Sequence, residues 1–163
     1  MYCYPSVDGA ADVSVRWPRM RNTARHLPKI ATGGERVWLD GIDIDWEYPT
    51  SNAAGISSSP DDTKNFTLLM RDIRKAIGPK KLLTLATVAS GEYIDFQAIL
   101  PYIDFVNIMS YDMGNAPKHH SALYSSDNSG RMTGDKAVKA HLAAGVPADK
   151  LVILPSGSRQ PGV

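Results

Sequence analysis

Three acids, Asp43, Asp45 and Glu47, stand at alternate positions in Asp40-Gly41-Ile42-Asp43-Ile44-Asp45-Trp46-Glu47-Tyr48-Pro49. In a β-strand, residues two apart share a face, so the three carboxyls point one way and Ile42, Ile44 and Trp46 point the other. The apolar face calls for cover by helices. The acidic face is costly unless its carboxyls are paired, protonated or hydrogen-bonded. Alternate strand residues lie roughly 6.6 Å apart. At an effective dielectric of about 20, two like charges at that spacing repel by about 2.5 kcal/mol. That pressure raises the ionisation of one acid by roughly two pH units, so one can hold a proton beside an ionised neighbour. Such a proton can be given to a leaving oxygen in glycoside hydrolysis. The same face could instead hold a divalent ion such as magnesium, or be a solvated edge without chemistry.

The elements that must position these acids follow from the periodicity downstream. Val37 to Tyr48 reads as a strand, and the Ser/Asn/Gly-rich stretch to Ser59 as a loop. Ser59-Pro60-Asp61-Asp62 opens a helix, with proline in the first turn and acids favouring the dipole. Phe66, Leu69, Met70, Ile73 and Ile77 continue it at helical spacing, and Gly78-Pro79 ends it. Leu82 to Val88 predicts a second strand, Tyr93 to Pro101 a short helix, and Phe105 to Tyr111 a third strand. Asp135 to Ala144 predicts another helix, stopped by Gly145 and Pro147, and Leu151 to Leu154 a short fourth strand. Alternating strands and helices indicate the α/β class, with parallel βαβ units. Residues 1 to 35 show no persistent apolar period and are expected to be irregular or poorly ordered.

The bulk numbers exclude several classes. A chain of 163 residues argues for one domain. A net charge of +1 gives no reason to expect nucleic acid or an anionic membrane as partner. No apolar run is long enough to span a bilayer, and Met1-Tyr2-Cys3-Tyr4-Pro5 lacks the layout of a signal peptide. The single cysteine, Cys3, excludes an intrachain disulfide and a cysteine-based zinc site. No cofactor or metal is expected. His119-His120 follows the third strand, but adjacent residues rarely chelate one metal together and further ligands would be needed. Lys80-Lys81 and Lys136-Lys139 read as solvated faces, and Tyr93 as a sugar contact or a packing residue.

Asp40-x-x-Asp43-x-Asp45-x-Glu47 with Tyr48-Pro49 resembles the signature strand of glycoside hydrolase family 18, the chitinases and endo-β-N-acetylglucosaminidases. The resemblance implies the fourth strand of a TIM (β/α)8 barrel with the acids facing its interior. It makes Glu47 the general acid/base and has Asp45 orient the substrate's acetamido group. Asp43 becomes a buried carboxyl sharing a proton with Asp45, and Asp40 a supporting residue near the strand's start, with Tyr48 at the rim. Phe105-Val106-Asn107-Ile108-Met109-Ser110-Tyr111-Asp112 resembles the family's sixth strand. There Tyr111 would bind the acetamido group, Asp112 the sugar, and Met109 would line the floor. The implied activity is hydrolysis of β-1,4-linked N-acetylglucosamine polymers such as chitin, with retention. In this family the substrate's acetamido group replaces a carboxylate nucleophile, so the carboxyl spacing does not set the stereochemistry. Many family members are secreted. The alternative is a non-catalytic carbohydrate-binding protein or an inactive fragment.

A TIM barrel needs about 250 residues, and roughly 200 at least. The chain is therefore expected to be a partial barrel of about four parallel strands, corresponding to strands four to seven, with residues 36–163 as its domain. Val37-Trp38 stands where the family has Tyr-Gly. The segment Ile153 to Arg159 departs from the family's Gly-x-Pro-x-Tyr-Gly-Arg. These departures suggest a truncated or frame-shifted gene product, a hypothesis that sequencing the locus tests. Open sheet edges would favour self-association.

Overall fold

The computed structural model describes residues 40–154. The expected irregular segment 1–35, Val37-Trp38, Cys3 and the altered segment after Leu154 lie outside these residues. The described elements are β1 (Gly41–Asp45), α1 (Asp62–Ile77), β2 (Leu82–Val88), α2 (Phe96–Ile99), β3 (Phe105–Met109), α3 (Gly134–Ala143), a 3-10 turn (Ala148–Lys150) and β4 (Leu151–Leu154). The strands form a four-stranded parallel sheet in the order β1-β2-β3-β4. Neighbours in sequence are neighbours in space, with no reversal of strand order. That is the order of an arc of βα barrel, whereas a doubly wound sheet reverses at a switch point.

The register fixes which side chains share a face. Asp43 lies opposite Thr84 and Asp45 opposite Ala86, while Ala86 pairs with Asn107 and Val88 with Met109. The other face carries Ile44, Leu83, Leu85 and Val106, which pack under Phe66, Met70 and Ile73 of α1 and Phe96 and Ile99 of α2. Trp46 meets the edge of Phe66 at 5.8 Å and 63°. The core is thus on the helix side of the sheet. On the opposite face Leu82 and Val152 stay exposed. A smaller cluster of Ala89, Ile108 and Ala137 seats α3.

Three boundaries are shorter than the sequence suggests. β1 ends at Asp45, so Trp46 and Glu47 stand just beyond the ladder. β3 ends at Met109, and the chain turns at Asp112, where φ is +54°. α2 does not begin at Tyr93, because Gly91 and Tyr93 both take positive φ. It starts instead where the Asp95 carboxylate accepts the Ala98 amide at 3.1 Å. Thr133 caps α3 in the same way through Lys136 N–H. The fully buried His141 donates Nδ1–H to the Ala137 carbonyl at 2.8 Å, so its Nε2, 2.9 Å from Thr87 Oγ1, accepts. Burial pushes its pKa down and keeps the ring neutral.

The N-terminal end of the sheet is pinned by Arg74. Its Nε donates to the Tyr102 carbonyl at 2.7 Å, and its Nη1 to the carbonyls of Gly78 at 2.9 Å and Lys81 at 2.6 Å. Its Nη2 pairs with Asp104 at 2.6 Å, and the same Asp104 oxygen accepts the Leu83 amide at 2.7 Å. Burial works against the Asp104 carboxylate, but the Leu83 amide and the Arg74 guanidinium outweigh it and hold its pKa below the usual range. Arg74→Met leaves these acceptors short of donors. The expected loss is about 2–4 kcal/mol of stability, read from urea unfolding.

Candidate active site

The carboxyl ends of the strands carry the cleft. Glu47, at the exit of β1, and Met109, Tyr111 and Asp112, at the exit of β3, line one cavity of about 390 Å³. Tyr48 from the first loop, Val88, Ala89 and Ser90 from the end of β2, and Met113 and Met132 from the loop before α3 complete its wall. Loops at this end can vary while the strands hold the functional groups in place.

Asp45 lies one step down the strand from Glu47. Burial, then the charge of Glu47 and, less, that of Asp43 push its pKa up from 3.8. The like-charge pressure expected from the alternate spacing therefore acts on Asp45. Asp43 is not the buried carboxyl that the resemblance implies. It is exposed, and its Oδ1 accepts from the Thr84 hydroxyl and, at 3.0 Å, from Asn107 Nδ2. Its neighbour on the same face, Thr84, is buried, so the exposure is local to Asp43. Asn107 was missed by the sequence reading. It stands two residues before Met109, and the alternation that put Met109 and Tyr111 on one face marks it as well.

Asp40 does not join the cleft. It is exposed at the opposite end of β1, and its backbone carbonyl accepts the Leu82 amide at 2.9 Å. It is seven positions from Glu47, roughly 23 Å along an extended chain, so it cannot touch the same sugar. Asp112 is reached easily, its side chain being 81% exposed, and its Oδ1 lies 3.9 Å from His120 Nδ1. Among the described residues no three His, Cys, Asp or Glu side chains converge to hold a metal ion. Also among the described residues, no helix is long and apolar enough to cross a membrane.

Tyr48 is more than a rim residue. Burial first, then a hydrogen bond to Glu47 and the charges of Glu47 and Asp45, push its phenol well above the ordinary range. The phenol therefore stays protonated and can donate to the Glu47 carboxylate. Its ring stacks on Tyr93 at 5.3 Å and 24°. The loop from Tyr48 to α1 is fastened by the buried Asp62, whose Oδ2 accepts the Ser59 amide at 2.7 Å and the Thr50 amide at 3.2 Å. On the far wall, Gly130 lies against the backbone of Met113. A Cβ there would sit 1.8 Å from the Met113 carbonyl oxygen, so the close turn that presents Met113 to the cleft needs glycine.

Comparison with known proteins gives this geometry relatives. The family model for glycosyl hydrolases family 18 matches residues 13–157, reaching upstream of Val37 into sequence without a regular pattern of its own. Chitinase A1 of Niallia circulans is 36% identical over 138 residues, which cover 71% of this chain and 20% of the relative. Among solved structures, the chitinase domain of the spore coat protein CotE from Clostridium difficile superposes with a TM-score of 0.75 at 37% identity. That match covers 84% of this chain and 42% of the other. A family 18 N-acetylglucosaminidase from Paenibacillus barengoltzii gives 0.72 at 36% identity, over 82% of this chain and 43% of the other. The chain spans between a fifth and about two fifths of the length of these proteins. Its four parallel strands and their helices are part of a TIM barrel. With the family match covering most of its length, the chain belongs to the glycosyl hydrolases of family 18.

Proposed function

We propose that this chain carries the acid/base part of a chitin-hydrolysing site that works with retention and substrate assistance. The observation behind the reading is that Glu47, Met109, Tyr111 and Asp112, distant in sequence, line one cleft. Glu47 in its protonated form gives its proton to the glycosidic oxygen as the bond to the anomeric carbon breaks. The acetamido oxygen of the same sugar attacks that carbon from the opposite face, forming an oxazolinium ring. Asp45 faces the acetamido nitrogen and stabilises the charge that forms there, and the Tyr111 hydroxyl fixes the acetamido oxygen. Glu47, now ionised, takes a proton from water, which attacks the same carbon and opens the ring. Two inversions give net retention.

In this scheme Asp43 acts as a fixed charge held by Thr84 and Asn107, since its field reaches Asp45. Met109 floors the subsite, and Asp112 meets the sugar at the open side. The partner is chitin or its N-acetylglucosamine oligomers. Leu82 and Val152, exposed on the same face as Asp43, support self-association of the chain. The test is release of fluorophore from a fluorogenic chitobioside, run over a range of protein concentration. Turnover by the purified chain is expected. Absence of turnover at every concentration, with oligosaccharide still bound in calorimetry, would instead support a carbohydrate-binding role.

A further inference from the structure

Tyr93 lies outside the signature strand and outside the sixth-strand motif, 45 residues beyond Tyr48 in the sequence. Its ring nevertheless stacks nearly parallel on that of Tyr48, with centroids 5.3 Å apart. Its backbone is held in the left-handed region at φ +73°, which is unfavourable for a bulky side chain. The Thr63 hydroxyl, in the first turn of α1, donates to the Tyr93 carbonyl at 2.9 Å. The next loop thus reaches back over β1 and braces an aromatic ring against the residue following Glu47. A ring that only filled space could do so from an ordinary backbone conformation. This one is fixed at its backbone by α1 and at its ring by Tyr48.

We infer that Tyr93 is a positioning residue for Glu47, acting through Tyr48, with Thr63 as its anchor. The inference rests on the reading of Glu47 as the acid/base. The stack confines the Tyr48 ring, so its hydroxyl is already directed at the Glu47 carboxylate when a sugar arrives. An acid/base group must be oriented for both of its proton transfers, and a locked neighbour supplies that orientation without reorganisation during the reaction. An offset aromatic pair is strong enough to favour one ring position several-fold.

The chain contains three glutamates, Glu35, Glu47 and Glu92. Labelling glutamate side-chain carboxyls with carbon-13 therefore gives three resonances, and Glu47→Gln assigns the relevant one without any need for turnover. Tyr48→Phe is expected to move the Glu47 resonance. Tyr93→Leu is expected to move it in the same direction, Tyr93→Phe to leave it in place, and Tyr93→Leu added to Tyr48→Phe to cause no further change. In the chitobioside assay, Tyr93→Leu should lower kcat about tenfold with KM nearly unchanged, and Tyr93→Phe should restore it. A Glu47 resonance that moves with Tyr48→Phe but not with Tyr93→Leu overturns the inference. So does one that moves with neither. Should Tyr93→Leu fail to fold, Thr63→Val, which releases the anchor while keeping the side-chain shape, carries the same expectation for the resonance. The expected carboxyl pattern in a chain without turnover would sink the proposed activity and leave the positioning role standing.

Discussion

Glu47→Gln is expected to cut turnover of chitin oligomers by about 10²–10⁴-fold, equivalent to about 3–5 kcal/mol of transition-state stabilisation. Glutamine keeps the size and much of the hydrogen bonding of the side chain, so Tyr48 retains an acceptor. It can neither give a proton to the glycosidic oxygen nor take one from water. Both halves of the proposed cycle fail together, and no nearby group can substitute. Asp45 is one strand step lower, and burial, the largest cause of the raised Tyr48 pKa, still keeps the phenol protonated. Calorimetry should find oligosaccharide binding within a few-fold of the parent chain while kcat collapses. Normal turnover by this variant would remove Glu47 from the mechanism.

Asp45→Asn gives the second large effect, and here activity and stability move in opposite directions. Loss of the charge beside the acetamido group should lower kcat about 10²–10³-fold. Stability depends on where the proton binds. Burial and the Glu47 charge raise the Asp45 pKa in the folded chain above its ordinary 3.8. Between these values the folded state holds a proton that the unfolded state has released. The folded chain therefore loses stability as pH rises through that window, and the full penalty applies above the raised value. Asparagine carries no charge at any pH. Its urea midpoint should exceed that of the parent at about pH 7, with the advantage disappearing at about pH 3. An equal advantage at both pH values would mean that packing, rather than charge, makes the difference. An acid kept at a cost to stability is what a working site requires.

The sequence made the helix-facing half of this fold legible and the inner half only in part. Ile44, Leu83, Leu85 and Val106 alternate with the residues of the acidic face. Phe66, Met70 and Ile73 follow a helical period, so strand, helix and the packing between them can be read from spacing alone. The bounds of β2 are legible to the residue because turns flank it, and the start of β4 because Gly145 and Pro147 precede it. α2 was read too long because nothing in Gly91-Glu92-Tyr93 announces that a tyrosine will adopt positive φ. Tertiary contacts with Thr63 and Tyr48 override the local preference there. The expected burial of Asp43 failed for another reason. The resemblance implies the environment of a closed barrel, whereas here Asp43 is exposed and is held by Thr84 and Asn107. Met113 and Met132 escaped notice because they sit in an irregular loop, where neither the period of 2 nor that of 3.6 applies.

The Asp62 clamp has a consequence for how this cleft can change. One carboxylate oxygen gathers the amides of Thr50 and Ser59, so the segment from 51 to 58 leaves and re-enters the body of the protein at nearly one point. Its tip is solvent-exposed. A segment closed at its base can lengthen or shorten without transmitting strain to Tyr48 on one side or to α1 on the other, and longer closure costs little, about 0.6 kcal/mol per doubling. The first loop is therefore a natural point of variation, where inserted residues could raise a wall beside the sugar and change how far a polymer must thread while the acids keep their places. Asp62 is the hinge pin of that adaptability, although it never meets the substrate.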